Sequence, residues 1–594
     1  MLPWFLKDSA RLKSERAAIA DLLRSSGWLI GVDWQLSPEL SANVVVRAHG
    51  HDYELRLSYP NLFPEVPAVV RPINAKSRLT THQYGGADGP LCLEWGPDNW
   101  HSGVTGAKVL ESVYKLLEIE NPLGGNQPAI PVVAPSRHEL AVGQEIRGKL
   151  VRWFVGDDLQ GFMKEQPLGA VGSFKFSFSK RANAWTCLVH EATPLQGEAW
   201  RDSKIPSELP GALPASWHEG AYFKTDLHPD KLKGLSTHDS LNAVLGEHGA
   251  KFLAMDGSSP ITGLKGTFTG ALVSDGEGEL HFYLLYDGGF IECAKVKSEK
   301  AGSVIRTPER NFLSERKIGI VGLGSAGSQI AEALTRMGVT KFYLIDHDIL
   351  FPENLERHAL DWLGVTQHKV NAMKAFLERI NPGVQVEVSD LHLTGQESSA
   401  LVSGGLEKLS GCDLLIDATA EPRVFNLVAA CALGAKRPMI WMEIYGGGLG
   451  GLVARSRPEA DPTPQQMRQV FLNYCKQNPY EQKEETVDRY AVENSEGEVL
   501  SASMADVAII AHHATRFVPD CFRPKEESIF PFSMYLLGLR KGWVFQQPFD
   551  TIPFQLEQPS AAAWTEPEDR AFDEEERDFI LGLLKADDAT PPAT

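Results

Sequence analysis

Paired cysteines are missing from this sequence. Its seven cysteines (Cys92, Cys187, Cys293, Cys412, Cys431, Cys475 and Cys521) are odd in number, widely spread and contain no CxxC pair, which argues against a disulfide framework and a zinc ribbon. Long apolar runs are missing too. No stretch reaches 18 apolar residues, and the opening MLPWFLKDSARLKSERAAIADLL is broken by charges every few residues, so neither a membrane span nor a signal peptide is read and a reducing cytoplasm is expected. Basic charge is in short supply: 58 Lys and Arg against 77 Asp and Glu leave −19, a balance that repels phosphate backbones and speaks against nucleic-acid binding. Residues 565–588 alone hold ten acids against three bases. Repeats of 20 to 50 residues are absent.

What is present is an ordinary soluble composition, 43% hydrophobic and 23% charged over 594 residues, long enough for about three or four domains. Residues 4–25 are apolar at helical spacing and stop at Ser25-Ser26-Gly27; LIGVDWQL, ANVVVRAH and DYELRLSYP then read as three strands. A Pro-, Gly- and Trp-rich stretch, 61–101, precedes a helical run, 106–119. This is an α+β domain over residues 1–125. A Pro-rich linker, 126–136, leads to a β-rich middle domain, 137–310, with a helical stretch near 239–253 and no motif that connects to chemistry. From Lys317 strands alternate with helices, as in a parallel α/β sheet, through 311–556. An acidic tail, 557–594, carries a short helical pattern at 566–584.

Gly322, Gly324 and Gly327 form G-x-G-x-x-G between the strand IGIVG and the helix SQIAEALTRM. That context suits a phosphate at a helix N-terminus, with Asp346 closing the next strand toward a ribose. The motif alone fits NAD, FAD or ATP. The next stretch, DHDILFPENLERHALDWLGVTQHK, adds Asp348, Asn354, Arg357 and Lys369, and two cations there suit the outer phosphates of ATP. The pattern resembles the adenylating domain of ubiquitin-activating enzymes and their bacterial sulfur-carrier relatives: D-x-D, then N-L-x-R six residues beyond the second acid, then a lysine twelve further on. The resemblance implies a Rossmann-like fold that binds ATP and Mg2+, with Asp346 at the ribose, Arg357, Lys369 and Asn354 at the triphosphate, and Asp348 near the metal or the reacting carboxylate. It also implies a homodimer through 317–455. One departure concerns the magnesium ligand: after Asp417 the sequence has Ala420 and Glu421 where the family has an aspartate. Asp417 or Glu421 could take that place, or Asp417 could cap the next helix.

Cys92 follows Gly-Pro-Leu on an irregular loop, where an exposed thiol is expected. Its surroundings resemble ubiquitin-conjugating enzymes over residues 5–125: Tyr59-Pro60, Phe63-Pro64 and Pro67 lead to His82, Cys92 is ten residues after that His, and Trp100 eight after the Cys. His82-Gln83-Tyr84 replaces the family's His-Pro-Asn, so the oxyanion or the loop must be held differently. Among later thiols, Cys412 and Cys431 read as core. Cys475 is near a helix end, and Cys521 reads as lying in an irregular segment among Arg516, Arg523 and Lys525, where cations favour thiolate. Cys521 is the preferred first acceptor, Cys475 the second choice, and direct transfer to Cys92 the third route.

A conjugating-like domain followed by an activating-like domain looks like the fusion protein of bacterial CBASS antiphage operons. That resemblance implies activation of the C-terminus of a cGAS-like nucleotidyltransferase and its conjugation to target proteins. Two alternatives remain from the residues themselves: a nicotinamide- or flavin-dependent oxidoreductase using the same glycines, and a partner-docking scaffold with an inactive conjugating-like domain.

Overall fold

The computed structural model describes residues 3–124, 148–297, 307–479, 491–493, 499–557, Ile146 and Trp564, with short omissions inside these spans. They belong to two compact units, Met1–Gly148 and Lys149–Thr594.

In the first unit the helical run at the start is divided into α1 (Trp4–Lys7) and α2 (Ser9–Ser25), because the Asp8 carboxylate accepts from Arg11 N at 2.8 Å and caps α2. An antiparallel meander follows, β1 (Leu29–Leu36), β2 (Leu40–Ala48), β3 (His51–Tyr59) and β4 (Val69–Pro72), in sequence order. Three strands were expected. β4 has four residues in a Pro-rich stretch, too few for alternation to reveal it. Helix α3 (Gly106–Glu120) contributes Leu110, Val113 and Leu117 to the core formed with Val44, Leu55 and Leu57. Buried Glu15 ties three elements, accepting from Arg11 Nε at 2.9 Å, Tyr59 Oη at 3.0 Å and Gly106 N at 2.7 Å. A carboxylate is tolerated there because its oxygens are paired. The expected linker, 126–136, lies outside the described residues.

The second unit begins with β5 (Val151–Val155), α4 (Asp157–Glu165), β6 (Val171–Arg181), β7 (Ala184–Pro194), β8 (Trp217–Lys224), α5 (His238–Leu245), β9 (Thr267–Ser274), β10 (Leu280–Tyr286), β11 (Gly289–Glu292) and β12 (Ala294–Lys297). Their sheet runs β11-β10-β9-β8-β6-β7-β5-β12, with two two-residue strands off this path. The β-like run FIECAKVK breaks at Cys293, and its halves, β11 and β12, reach opposite edges of the sheet. The helix expected near 239–253 is α5; residues 247–253 lie outside the described set.

After α6 (Thr307–Ser314) come β13 (Lys317–Val321), α7 (Ser325–Met337), β14 (Lys341–Ile345), α8 (Lys369–Ile380), β15 (Gln385–Ser389), α9 (Ser399–Ser410), β16 (Leu414–Asp417), α10 (Pro422–Gly434), β17 (Met439–Tyr445), β18 (Gly450–Ser456), α11 (Pro464–Gln477), α12 (Met504–Cys521), β19 (Met534–Gly538) and β20 (Thr551–Pro553). The sheet order is β15-β14-β13-β16-β17-β18-β19-β20, parallel through β17 and antiparallel beyond. Apolar strands and the inner faces of α7, α8 and α12 share one core. Strand order reverses between β13 and β16, which opens a crevice at their carboxyl ends, the usual place for a ligand in such a sheet. The tail helix expected at 566–584 lies outside the described residues. No helix among the described residues is long and apolar enough to cross a membrane.

Candidate functional site

The three glycines close the turn from β13 into α7. Gly322 has φ +85°, and a Cβ there would meet Thr419 Cγ2 at 2.7 Å; a Cβ on Gly327 would fall 1.9 Å from the Gly322 carbonyl oxygen. Both are therefore obligatory for helix and strand to approach this closely. Gly324 is the N-cap of α7 and supplies no side-chain cap, so the helix N-terminus faces the crevice with its positive dipole end.

Asp346 follows β14 and is largely buried. Its carboxylate accepts from Leu323 N at 2.6 Å and from Asp348 N at 2.8 Å, which braces the glycine turn. Asp348 is half-exposed; one oxygen accepts from Lys369 Nζ at 2.9 Å and the other is 3.2 Å from His347 Nε2. Ligand atoms of Asp346, His347 and Asp348 lie within 4.8 Å of one another. Lys369 opens α8 with its backbone N–H donating to the Asp348 carbonyl at 2.9 Å. Asn354 Oδ1 accepts from Phe351 N at 3.0 Å in the 3-10 turn Pro352–Glu356, so the amide nitrogen is the end that can donate outward. Arg357 Nη1 reaches the Ala502 carbonyl at 3.4 Å, just before α12.

His358, next to Arg357, escaped the sequence reading. It is buried, its Nε2–H donates to the Leu323 carbonyl at 2.6 Å and its Nδ1 accepts from Leu360 N at 3.1 Å. Burial lowers its pKa to about 4, so the imidazole is neutral and holds the glycine turn at the Leu323 carbonyl, while Asp346 holds the Leu323 amide. The signal that could have found it is its position directly after N-L-x-R.

Asp417 corrects one expectation. Glu421, not Asp417, occupies the N-cap of α10. Asp417 is 2% exposed and accepts from Thr419 N at 2.9 Å and Thr419 Oγ1 at 2.6 Å. Burial raises its pKa to about 6 against those two hydrogen bonds. Glu421 Oε1 accepts from Thr394 Oγ1 at 3.2 Å.

The late thiols separate to opposite ends of the sheet. Cys521 does not lie in an irregular segment: it ends α12, is buried, and burial pushes its pKa up to about 12 despite Arg455 and Arg457. Helix α12 starts beside Arg357 and its 18 residues carry Cys521 about 27 Å away. There it lines a cavity with Arg316, Asp413 and Pro438, the residues that immediately precede β13, β16 and β17. Charge counted along the sequence missed both burial and direction. Cys475, partly buried near the end of α11, packs in the cluster of Tyr445, which closes β17 at its carboxyl end. Burial first, and Glu443 second, raise its pKa. Cys412 is fully buried and Cys431 partly so on α10.

In the first unit Cys92 is 7% exposed, in contrast to the exposed thiol expected, because a bridge between Gln83 and Leu91 folds its loop onto the core. Cys92 N donates to the His82 carbonyl at 2.7 Å. Burial raises the thiol pKa, while a hydrogen bond from Tyr84 and the charge of Arg78 lower it. Gln83 knits the loop: its Nε2 donates to the carbonyls of Gly86, Ala87 and Gly89 at 3.1, 2.9 and 3.0 Å, and its Oε1 accepts from Leu79 N at 2.7 Å. His82 Nδ1 is paired with Glu120. Trp100 Nε1 donates to the Pro64 carbonyl at 2.7 Å.

Residues 298–529 match the ThiF family. The chain is 34% identical over 120 residues to the ATP-dependent ubiquitin transferase-like protein Cap2 of Enterobacter hormaechei, covering 20% of this chain and 19% of that protein. It is 31% identical over 138 residues to ubiquitin-like modifier-activating enzyme 5 of Caenorhabditis elegans, covering 23% of this chain and 33% of that one. The chain thus spans less than two thirds of either relative. The structure of E. coli MccB with ATP overlaps 43% of this chain and 68% of its own at 14% identity and a TM-score of 0.32, a likeness too slight to bear on the site. The glycine turn, the D-x-D and the cations that follow all lie within residues 298–529, the part of the chain that matches the ThiF family.

Proposed function

We propose that the protein activates a protein C-terminal carboxylate with ATP and passes the acyl group through thioesters to an amine. The observation that carries this reading is the convergence, at one sheet end, of the α7 N-terminus, Asp346, the Asp348–Lys369 pair and Arg357. A dipole end and two cations suit a triphosphate, and D-x-D suits the ribose and the reacting end. Magnesium would neutralise the outer phosphates; half-exposed Asp348 would hold it in exchange for its pairs with Lys369 and His347, whereas Asp417 is closed by Thr419 and burial.

A carboxylate oxygen of the substrate attacks the α-phosphorus and pyrophosphate leaves, with Arg357 and Lys369 stabilising the charge that develops. A thiolate attacks the acyl carbon and AMP leaves. Cys475, at the carboxyl end of the sheet, is the acceptor we propose in place of Cys521. Cys92 then takes the acyl group by thiol exchange and an amine displaces it, forming an amide and restoring the thiol. Tyr84, where conjugating enzymes have asparagine, hydrogen-bonds the Cys92 sulfur and is the group able to steady the oxyanion there, while Gln83 holds the loop. The helix–meander–helix order of the first unit supports a conjugating-like role.

The carried protein in this reading is a cGAS-like nucleotidyltransferase of a CBASS operon, conjugated to cellular targets. All seven cysteines are free thiols, in keeping with a cytoplasmic protein. Phe351, Trp362 and Leu363, in the segment between β14 and α8, are exposed and support a homodimer. The test is ATP–pyrophosphate exchange dependent on the substrate's C-terminus. Arg357→Ala and Lys369→Ala should each lower it about a hundredfold or more; normal exchange in both variants overturns the reading.

A further inference from the structure

The cavity at the amino end of the C-terminal sheet, about 330 Å³, is lined by Arg316, Arg437, Arg457, Arg523 and Lys525, and Asp413 is the one acid among its lining residues. Three of these guanidiniums keep a buried nitrogen with no hydrogen-bond partner among the described residues: Nε of Arg316, Nε of Arg437 and Nη1 of Arg457. Arg457 is 5% exposed, and Asp461 occupies its Nε and Nη2 at 2.8 and 3.3 Å. Buried cationic donors left unmatched are costly, and an anion supplies what they lack.

The chain itself returns to this place. Trp564 is buried and its indole N–H donates to the Asp461 carbonyl at 2.8 Å. Asp461 is the residue that holds Arg457, and the neighbouring Ala460 carbonyl accepts from Lys525 Nζ at 3.1 Å. Directly after Trp564 the sequence continues with Glu566, Glu568 and Asp569, opening a stretch, 565–588, with ten acids and three bases. Two to five extended residues span about 7–17 Å, enough to bring these first carboxylates to the cavity.

We propose that this cavity is a docking site for the chain's own acidic segment, residues 566–588, whose carboxylates pair with its arginines and Lys525 and cover the face on which Cys521 lies. The docking does not depend on the adenylation reading, since it lies at the opposite end of the sheet from the glycine turn.

Zero-length carbodiimide coupling of the full chain tests it: an amide forms between a lysine amine and a carboxylate in contact, and mass spectrometry of the digest locates it. Lys525 is expected to link to acids of 566–588, with the Lys317–Glu387 pair, 2.6 Å apart, as the control for a folded chain. Arg523→Glu should lower the Lys525 links about fivefold, and about 0.5 M NaCl should lower them further, while the control link persists. No Lys525 link to that segment in a sample where the control forms overturns the proposal. A mixture of isotopically heavy and light chains completes the test: links within one chain support the proposal, and links mainly between heavy and light chains overturn it in favour of a second copy.

Discussion

The two ends of the C-terminal sheet are built from the same strands and hold opposite arrangements of charge. At the carboxyl end, single charges face one another across a crevice: Asp346 braces a turn, Asp348 holds Lys369, and Arg357 reaches a carbonyl. At the amino end, cations crowd a cavity, and behind it Arg455, fully buried, pairs with Asp520 and donates to Ser528 Oγ at 2.9 Å and the Phe530 carbonyl at 3.2 Å. In the function we propose, the groups of the first arrangement exchange partners when a ligand arrives; the second arrangement locks the end of α12. Cationic neighbours by themselves therefore do not mark a reactive thiol: at Cys521 burial outweighs them.

The widest contrast is between the thiols. Cys475→Ala should abolish the thiol-sensitive acyl adduct on the ThiF domain, and Cys521→Ala should leave it, as read on non-reducing gels with mass-spectrometric mapping. The reverse result would break the comparison. Next is stability. Asp520→Ala strands a buried guanidinium and should lower the unfolding free energy by about 3–5 kcal/mol in chemical denaturation, while pyrophosphate exchange per folded molecule stays at its original rate because the crevice is untouched.

Asp417 sharpens the comparison through pH. Its folded pKa, about 6 against an ordinary 3.8, means that the folded state holds the proton more tightly than the unfolded chain. The favourable contribution is complete below pH 3.8 and is lost as pH rises through about 6, leaving a cost of about 3 kcal/mol at neutral pH. Asp417→Asn should flatten the stability profile across that window and raise stability above it; parallel profiles for the two proteins would remove Asp417 as the cause. The smallest effect lies in the other unit. Tyr84→Phe removes the hydrogen bond that lowers the Cys92 pKa, so alkylation of Cys92 near pH 8 should slow by up to about tenfold, with the midpoint of its pH profile shifted upward.

Much of the crevice was legible because its signals are local. A glycine that must take φ +85°, another whose Cβ would strike the preceding turn, and acids and cations at fixed offsets after a strand are all set within a few dozen residues. His358 was overlooked because a lone histidine announces nothing until its two nitrogens are seen bonded to Leu323 and Leu360. β4 was overlooked because four residues are too few for a period of two.

By itself, then, the sequence determined the glycine turn and its α/β setting, the parallel alternation of the last domain, and the spacing of His82, Cys92 and Trp100, because each rests on short-range sterics or on offsets along the chain. The tertiary structure decided which thiol lies at which end of the sheet, that Cys92 is covered, and that Asp417 is closed. Helix direction and burial arise from contacts between segments far apart in the chain: α12 carries Cys521 about 27 Å from where it began, and desolvation by distant core residues shifts the thiol's proton affinity against the charges written beside it.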